Sequence, residues 1–597
     1  MEQWKLNYGA NLLENGDLHF KVWAPLAKTM FVVSERKEYP MTCTSEGVFE
    51  LTLPQSYKIK QYRYKINDNA RLCTDPVSRS LPQGVNGPTA VYDPHRFKWT
   101  DTHWKGIPLN EYIFYELHVG LFSSQGTFEA IIDKLKYLKD LGVTAIELMP
   151  IIEFPGARNW GYDGVSLFAP HHVYGGPDAL KHLIDACHKE NLAVVLDVVY
   201  NHLGPEQNFL SQFGYYFTDH YKTPWGQAIN YDGPYSDEVR KFIINNALYW
   251  LTEFHIDALR LDAVHAIYDF SARHILEELS EKFHEQARLL NRKAYLTAES
   301  DLNDVKIIKS KKQDGYGIDA QWSDDFHHAV HAYLTKSDRE YFADFGSLSD
   351  IAKAITDGFV YDGKVSQYRK RIFGSISKNF SGEKFVHCIQ NHDQVGNATL
   401  GKRLGNLLTE EQYKIAAMLL MAAPGLPLLF MGQEWNAETE FLYFTSFEDE
   451  NLAKSVREGY QKEFNLDHTD TFDPQNEQRF VGSKLNWNEL KLDKHEQLLG
   501  FFKKLIYLRK TIPAMANGPK DMVSVNFSEE EQWLVMFRKD EAKSKILLIA
   551  NFADTAKTIS TPLLEGTWKQ DLSSNDSQLD VRSPTIVPPT SAFLFSK

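Results

Sequence analysis

Through the middle of the chain, short apolar runs alternate with longer stretches whose apolar residues recur at helical spacing. The runs are IFYELHVG (113–120), AIELMPI (145–151), AVVLDVVY (193–200), DALRLDAV (257–264), AYLTAE (294–299), DAQWSDD (319–325), FVHCIQNHD (385–393) and PLLFMGQE (427–434). Between them lie amphipathic segments such as FEAIIDKLKYLKDLG, PDALKHLIDACHKEN and DEVRKFIINNALYWLTEFH. Apolar runs of this length fit strands buried on both faces, and strands alternating with helices predict a parallel sheet. Eight such units predict an α/β fold, a (β/α)8 TIM barrel. The pattern alone also admits a doubly wound open sheet. The sixth run, 319–325, is the poorest in apolar residues.

The flanks follow another period. LHFKVWAP, MFVVSE, VFELTLP and YRYKIND carry short alternating or apolar runs separated by turn residues such as NGD and SEG. That predicts a small N-terminal β-sandwich over 1–105, with Asp93–Asn110 as a connecting segment. QWLVMFRK, KILLIANF and TSAFLFS predict a second sandwich over 516–597. The barrel then spans 106–515. A loop rich in Gly, Pro and aromatics, 201–234, follows the third run, and loops that long inside a compact domain are usually functional or disordered.

Composition narrows the partners. The formal net charge of −14 over 597 residues disfavours non-specific binding to nucleic acid or an acidic membrane. The apolar stretch 415–431 is broken by Pro424, Gly425 and Pro427, so a buried helix running into a buried strand is expected rather than a membrane span. The first residues are polar and show no signal-peptide core, which makes the cytoplasm the expected address. Cys43, Cys73, Cys187 and Cys388 are few and far apart, as reduced cysteines used as small hydrophobes would be.

Polar clusters then stand out at the ends of the predicted strands. They are Asp197 with Asn201 and His202, Arg260 with Asp262 and His265, Glu299 with Asp301, and Asn391-His392-Asp393-Gln394. A parallel barrel places its chemistry at those ends. One carboxylate there could be an ion pair or a helix cap; four converging clusters suit glycosidic bond cleavage. That reaction needs a protonated carboxyl for the leaving oxygen and a carboxylate across the anomeric carbon. Arg260 and Asp262 share one strand face, and a neighbouring guanidinium keeps a carboxylate charged, which favours Asp262 as nucleophile. Glu299 has only Thr297 and Ala298 beside it along its strand and suits the general acid. Asp393 could bind sugar hydroxyls and stabilise positive charge at the anomeric centre. Replacing either Asp262 or Glu299 by its amide is expected to leave folding intact.

The segments DVVYNH, RLDAVH, LTAES and QNHD resemble, in order, the four signature regions of the α-amylase family of glycoside hydrolases. The resemblance implies Asp262 as nucleophile, Glu299 as acid/base and Asp393 as transition-state stabiliser. It also implies that Tyr162, Asp197, His202, Arg260 and His392 line the subsite of the attacked glucose, with Asn391 and Gln394 in the fourth region beside it. Within the family, ELMPIIEFPGARNWGYDGV, TPWGQAINYDGP, RLDAVHAI and LTAESDLND are similar to the trehalohydrolase branch, and the N-terminal sandwich resembles the carbohydrate-binding module of branching enzymes. That branch implies a maltooligosyltrehalose substrate, with Val264, His265, Asp324, Asp325, Phe326, His327 and His328 as further contacts. For His327 and His328 a solvated loop is the competing reading. A glycogen branching enzyme, which shares the carboxylates but transfers to a sugar hydroxyl, is the alternative function.

No cofactor is expected and no metal. The pairs His171-His172 and His327-His328 lack the i, i+4 spacing of a helical zinc site, and adjacent histidines on loops are usually solvated. Some α-amylases hold calcium near the position of Asn201 with ligands from a larger insertion, whereas the insertion here is short.

Overall fold

Eight parallel strands close on themselves in the computed structural model, which describes residues 4–463, 473–560, 567–581 and 584–597. They are β1 (Phe114–Leu117), β2 (Ala145–Leu148), β3 (Ala193–Val198), β4 (Ala258–Leu261), β5 (Tyr295–Ala298), β6 (Ala320–Trp322), β7 (Phe385–Cys388) and β8 (Leu426–Phe430). Each pairs in parallel with its neighbours in the ring, and β8 pairs with β1. The sheet is therefore a barrel, and the open-sheet alternative falls. Every predicted run supplies one strand, including the sixth, which is only three residues long.

Alternation along each strand sorts the side chains. Phe114, Ala145, Ala193, Val195, Ala258, Ala320, Val386 and Leu426 meet in one buried cluster that plugs the barrel. Tyr115, Ile146, Val194, Leu196, Leu259 and Leu429 alternate with them and join the large core shared with the surrounding helices. Two residues further along the inward columns the chemistry changes. Phe114 is followed by Glu116, Ala145 by Glu147, Val195 by Asp197, Ala258 by Arg260, and Ala320 by Trp322. Register places Glu116 opposite Glu147, and Asp197 opposite Arg260, which is itself opposite Thr297. Apolar residues thus fill the lower barrel while charged residues crowd its C-terminal end.

The N-terminal sandwich consists of two four-stranded antiparallel sheets. One orders Gly9–Leu12, Leu18–Trp23, Val48–Leu53 and Thr42–Ser45; the other orders Lys37–Pro40, Met30–Ser34, Gln61–Ile66 and Thr89–Ala90. It is fastened to the barrel by the buried ion pair Arg79–Glu253 at 3.0 Å and by Trp4 Nε1 donating to Asn245 at 3.0 Å. The connecting segment after it is no loose tether. Trp99 stacks on His255 with centroids 3.9 Å apart, and Trp104 stacks on His188 at 4.7 Å. At the C-terminus a five-stranded sheet orders Val523–Ser528, Trp533–Lys539, Lys545–Asn551, Ser591–Ser596 and Lys569–Ser573. The pair Lys557–Ile559 and Thr585–Val587 forms a separate two-stranded ribbon.

The loop after β3 folds into a short helix, Leu210–Phe213, and a hairpin, Phe217–Lys222 with Gln227–Ile229. Between β6 and β7 the chain makes helix α1 (Asp324–Thr335), helix α2 (Leu348–Asp357) and a hairpin of Asp362–Ser366 with Arg371–Gly374. Among the described residues no helix is long and apolar enough to cross a membrane.

Candidate active site

Arg260 is the centre of the site. It projects from β4 with no solvent exposure and bonds three carboxylates. Its Nη1 donates to Asp197 Oδ1 and Oδ2 at 2.9 and 2.8 Å and to Asp262 Oδ1 at 2.8 Å. Its Nη2 donates to Glu299 Oε2 at 2.8 Å. The guanidinium lies over the Trp322 ring with Cζ 4.4 Å from the centroid. A planar fork with several donors can serve three acceptors at once, which a lysine ammonium cannot do in this geometry. The sequence had suggested Arg260 as the neighbour of Asp262 alone. Register corrects this, because β3, β4 and β5 run side by side and bring Asp197 and Glu299 within reach of the same side chain.

The two carboxylates at the strand ends are held differently. Asp262 accepts at both oxygens, from Arg260 at Oδ1 and from Asn201 Nδ2 at Oδ2, 2.8 Å each. Glu299 is bonded only through Oε2, which takes Arg260 and the backbone N–H of Ala263 at 2.9 Å. Its Oε1 is left without a protein partner among the described residues. Ala263 turns between them at φ 39°, and so lets the chain after β4 fold back toward Glu299. One guanidinium between the two carboxylates limits the Asp262–Glu299 oxygen separation along this path to roughly 8 Å, compatible with the ~5–5.5 Å of a retaining pair. Their side chains are 11% and 17% exposed, and that of Asp393 is 35% exposed, so all three open to the same cleft. Burial raises the Asp393 carboxyl, against the pull of His392.

Beside them, Tyr162 donates to Asp197 Oδ2 at 2.7 Å and meets His392 Nε2 at 2.7 Å. Its half-buried ring stacks on that of His392, 5.3 Å between centroids. On the far side of the imidazole, Glu116 takes both the ring Nδ1 at 2.5 Å and the backbone N–H of His392 at 2.9 Å. Burial opposes charge on His392, but Asp393 and Glu116 outweigh it and push its pKa up to about 10. His202 is the opposite case. Burial lowers it to about 4, and its Nδ1 bonds Asn201 Oδ1 at 2.5 Å. Trp225, 47% exposed, stands 5.6 Å from His202 and 6.4 Å from His265, ring to ring.

The remaining expected contacts separate by helix geometry. DDFHH is neither a solvated loop nor a uniform contact surface; it is the first turn of α1. Residues four apart share a helix face, so Asp324 and His328 line up while the residues between turn inward. Asp324 is half-buried near Glu299 and Asp393, and burial together with those charges raises it well above the usual carboxylate range. His328 is half-buried against Tyr341, 4.5 Å between rings. Asp325 is buried and accepts from Asn303 and from the backbone of Val360 and Tyr361. Phe326 is fully buried, stacked on His387 at 4.7 Å. His327 is buried among His328, His331 and Phe342. These three hold the helix in place rather than face the cleft. Asn391 is likewise a cap, its Oδ1 accepting from Gln394 N at 2.8 Å, while half-buried Gln394 accepts from Tyr341 at 3.3 Å. Val264 is buried beside Glu299, whose carbonyl takes its N–H at 3.0 Å, and His265 stays half-buried with Nδ1 accepting from Asp301 N at 3.3 Å. Asn201 was seen in the sequence as part of the Asp197 cluster without a role, whereas Glu116 and Trp322 belong to the site but were not singled out by sequence. Glu116 and Trp322 could have been found by stepping up the inward column of each strand.

Two places bear on metals. The Asn201 amide bonds Asp262 on one side and His202 on the other. Glu153, His171 and His172 cluster with potential ligand atoms within 4.8 Å of one another. Here His171 is not solvated; it is fully buried and stacks on Phe154 at 3.7 Å. Its Nδ1 accepts from Val173 N at 3.2 Å, so the proton resides on Nε2, the nitrogen nearer Glu153. His172 Nδ1 and its own N–H both bond Glu153. His172 and Glu153 are thus hydrogen-bonded to each other, while His171 Nε2 lies 3.9 Å from Glu153, beyond hydrogen-bond reach.

Comparison with known proteins agrees with this geometry. The α-amylase catalytic domain family matches residues 91–223 and 215–518, and carbohydrate-binding module 48, the isoamylase N-terminal domain, matches 7–78. A malto-oligosyltrehalose trehalohydrolase of Saccharolobus solfataricus is 45% identical over 87% of this chain and 90% of its own length. A 1,4-alpha-glucan branching enzyme of Pseudoalteromonas atlantica is 26% identical over 90% of this chain and 72% of its own. Among solved structures, a Salmonella typhimurium protein assigned to the alpha amylases superposes with a TM-score of 0.90 at 35% identity, each chain fully covered.

Proposed function

We propose, from a chain that belongs to the malto-oligosyltrehalose trehalohydrolase family of the α-amylase glycoside hydrolases, that the cleft hydrolyses the α-1,4 bond joining a maltooligosyl chain to a terminal trehalose. The observation that carries the chemistry is the Arg260 fork holding Asp262 and Glu299 at one cleft. The trehalose end rests on the 45% identity with a protein of that activity over most of both chains.

In this reading the Asp262 carboxylate attacks the anomeric carbon of the terminal maltooligosyl glucose. As that bond forms, the bond to trehalose breaks, and Glu299 delivers a proton from Oε1 to the departing oxygen. Arg260 stays between them throughout, with both nitrogens already engaged, so little reorganisation accompanies the charge that shifts. Glu299, now a carboxylate, takes a proton from water, whose oxygen attacks the glycosyl ester and frees Asp262. Two displacements return the α configuration. Asp393 and the His392 imidazolium face the sugar, where Asp393 balances positive charge at the anomeric carbon. Asp324 and His328 from α1, with His265 and Trp225 opposite, form the walls available to the trehalose unit.

The test is to incubate the purified protein with maltotriosyltrehalose and with maltopentaose and to identify the products. Trehalose and α-maltotriose, formed much faster than any maltopentaose fragment, are expected. A site with polar groups paired to trehalose leaves some unpaired with a maltose end, and such groups discriminate strongly. Equal rates on both substrates would overturn the trehalose assignment. New α-1,6 branches on amylose with little reducing sugar would instead indicate transfer.

A further inference from the structure

We propose that Glu116, on barrel strand β1, is a positioning residue that fixes His392 as a doubly protonated ring and directs its Nε2–H to the Tyr162 hydroxyl beside the cleft. The inference rests on the hydrolase reading for its effect on rate, but its structural content stands on separate ground.

Glu116 is 1% exposed and comes from the first strand, while His392 follows the seventh; 276 residues separate them. Its two oxygens divide the work. Oε2 takes the backbone N–H of His392 at 2.9 Å and pins the start of the short helix that carries Asp393. Oε1 takes Nδ1 at 2.5 Å, which requires a proton on Nδ1 and fixes the ring's orientation. The only ring nitrogen left for the cleft is Nε2, 2.7 Å from the Tyr162 hydroxyl and 3.5 Å from Asp393 Oδ2. Tyr162 gives its own proton to Asp197, so its oxygen accepts at Nε2 and that nitrogen is also protonated. A chain of bonds runs from Glu116 through His392 and Tyr162 to Asp197 and Arg260, with the Nδ1 proton set by Glu116 and the Nε2 proton by Tyr162 donating to Asp197.

The groups facing the imidazole make the charge state depend on Glu116. Asp393 is on its own element, Glu116 on β1, Glu147 on β2, Asp197 on β3 and Arg260 on β4, with Tyr162 stacked on its face and His118 close by. Burial, and then the Glu116 charge, raises Glu147 well above the ordinary carboxylate range, so its charged form is disfavoured beside Glu116. Arg260 opposes a second cation. Asp197 is engaged by Arg260 and Tyr162, whereas Asp393 and Glu116 are the charges that act most strongly on the imidazolium, and Glu116 alone touches Nδ1.

The decisive variant is Glu116→Gln, which removes the charge at nearly constant shape; since both Glu116 oxygens accept, its NH2 also turns toward one of the two His392 donors, and the pH profile separates loss of charge from that lost contact. With maltotriosyltrehalose as substrate, the alkaline limb of kcat/KM should move acidward by about one pH unit or more and steepen, since loss of the His392 proton costs roughly tenfold per pH unit above its new pKa. Glu116→Asp, which keeps the charge at a shorter reach, should lower the rate but retain the wild-type limb. In a His392→Asn background the Glu116→Gln change should cost less than twofold, because two residues acting through one contact are not additive. A uniform drop at every pH, or full additivity, would overturn the proposal. Ring nitrogen NMR of histidine-labelled protein reads the same point without substrate. The His392 signals, identified by their loss in His392→Asn, should be those of an imidazolium at pH 8 in the wild type and of a neutral ring in Glu116→Gln. A neutral His392 in the wild type at pH 8 would reject the proposal whatever the activity, whereas an inactive wild type with a charged His392 would reject only the hydrolase reading.

Discussion

The two carboxylates proposed for the chemistry should differ sharply when each is changed to its amide. Asp262 accepts a hydrogen bond at each oxygen, from a guanidinium and from the Asn201 amide, both at 2.8 Å. An asparagine there must turn its NH2 toward one of those donors in either flip. That contact is lost, although Asn201 keeps the Asp262 carbonyl and Arg260 keeps Asp197, so the cost is about 1 kcal/mol. Glu299 uses only Oε2. A glutamine can keep its oxygen on Arg260 and Ala263 and turn its NH2 to the cleft, so it loses the charge but no hydrogen bond, and its stability change should be the smaller of the two. The sequence alone suggested that neither change would disturb folding; the contacts separate them. Activity should fall in both, by roughly 10²–10⁴-fold from the missing acid/base in Glu299→Gln. On α-maltosyl fluoride, whose leaving group needs no proton, Glu299→Gln should recover most of its first step and Asp262→Asn none. Urea unfolding followed by tryptophan fluorescence, alongside initial rates on both substrates, measures all of this. Equal midpoints for the two variants, a glutamine variant less stable than the asparagine one, or near wild-type turnover in either would refute the reasoning.

Other perturbations follow from the same contacts. Glu147 is buried, neither of its oxygens has a hydrogen-bond partner, and its folded pKa is raised. The native state therefore binds its proton more tightly than the unfolded chain, and stability falls as pH rises from about 4.3 toward the folded pKa. Glu147→Gln should flatten that decline, nearly matching wild type at pH 4 and exceeding it at pH 8 in thermal unfolding. Gly161 sits at φ 108°, and a Cβ there would meet the Pro150 carbonyl oxygen at 2.2 Å. Gly161→Ala should displace the turn that presents Tyr162 and cost about 1–3 kcal/mol of stability with a large loss of activity, checked by unfolding and kcat/KM. Arg79→Met leaves Glu253 as a buried unpaired charge between sandwich and barrel, and should destabilise by about 3–5 kcal/mol in urea unfolding while kcat changes little.

Local pattern determined eight interior strands alternating with helices, because period and burial are properties of short stretches; that the sheet closes into a barrel rather than staying open was decided by the tertiary structure. The site's acids were legible for a related reason: an Asp or Glu ending an apolar run has few stable places except the C-terminal end of a barrel strand. The resemblance of four such endings to known signature regions supplied their roles. What the sequence did not decide was who meets whom. That Arg260 serves Asp197, Asp262 and Glu299 depends on three parallel strands in one register. That Glu116 grips His392 depends on the closure of the ring, which sets the first strand within reach of the seventh although 276 residues separate them. DDFHH looked like one contact surface as a string, but α1 winds it at 3.6 residues per turn, so Asp324 and His328 stay half-buried on one face while Asp325, Phe326 and His327 are buried. Periodicity is written along the chain, whereas hydrogen-bond partners are chosen across it, and only the folded barrel brings those partners within 3 Å.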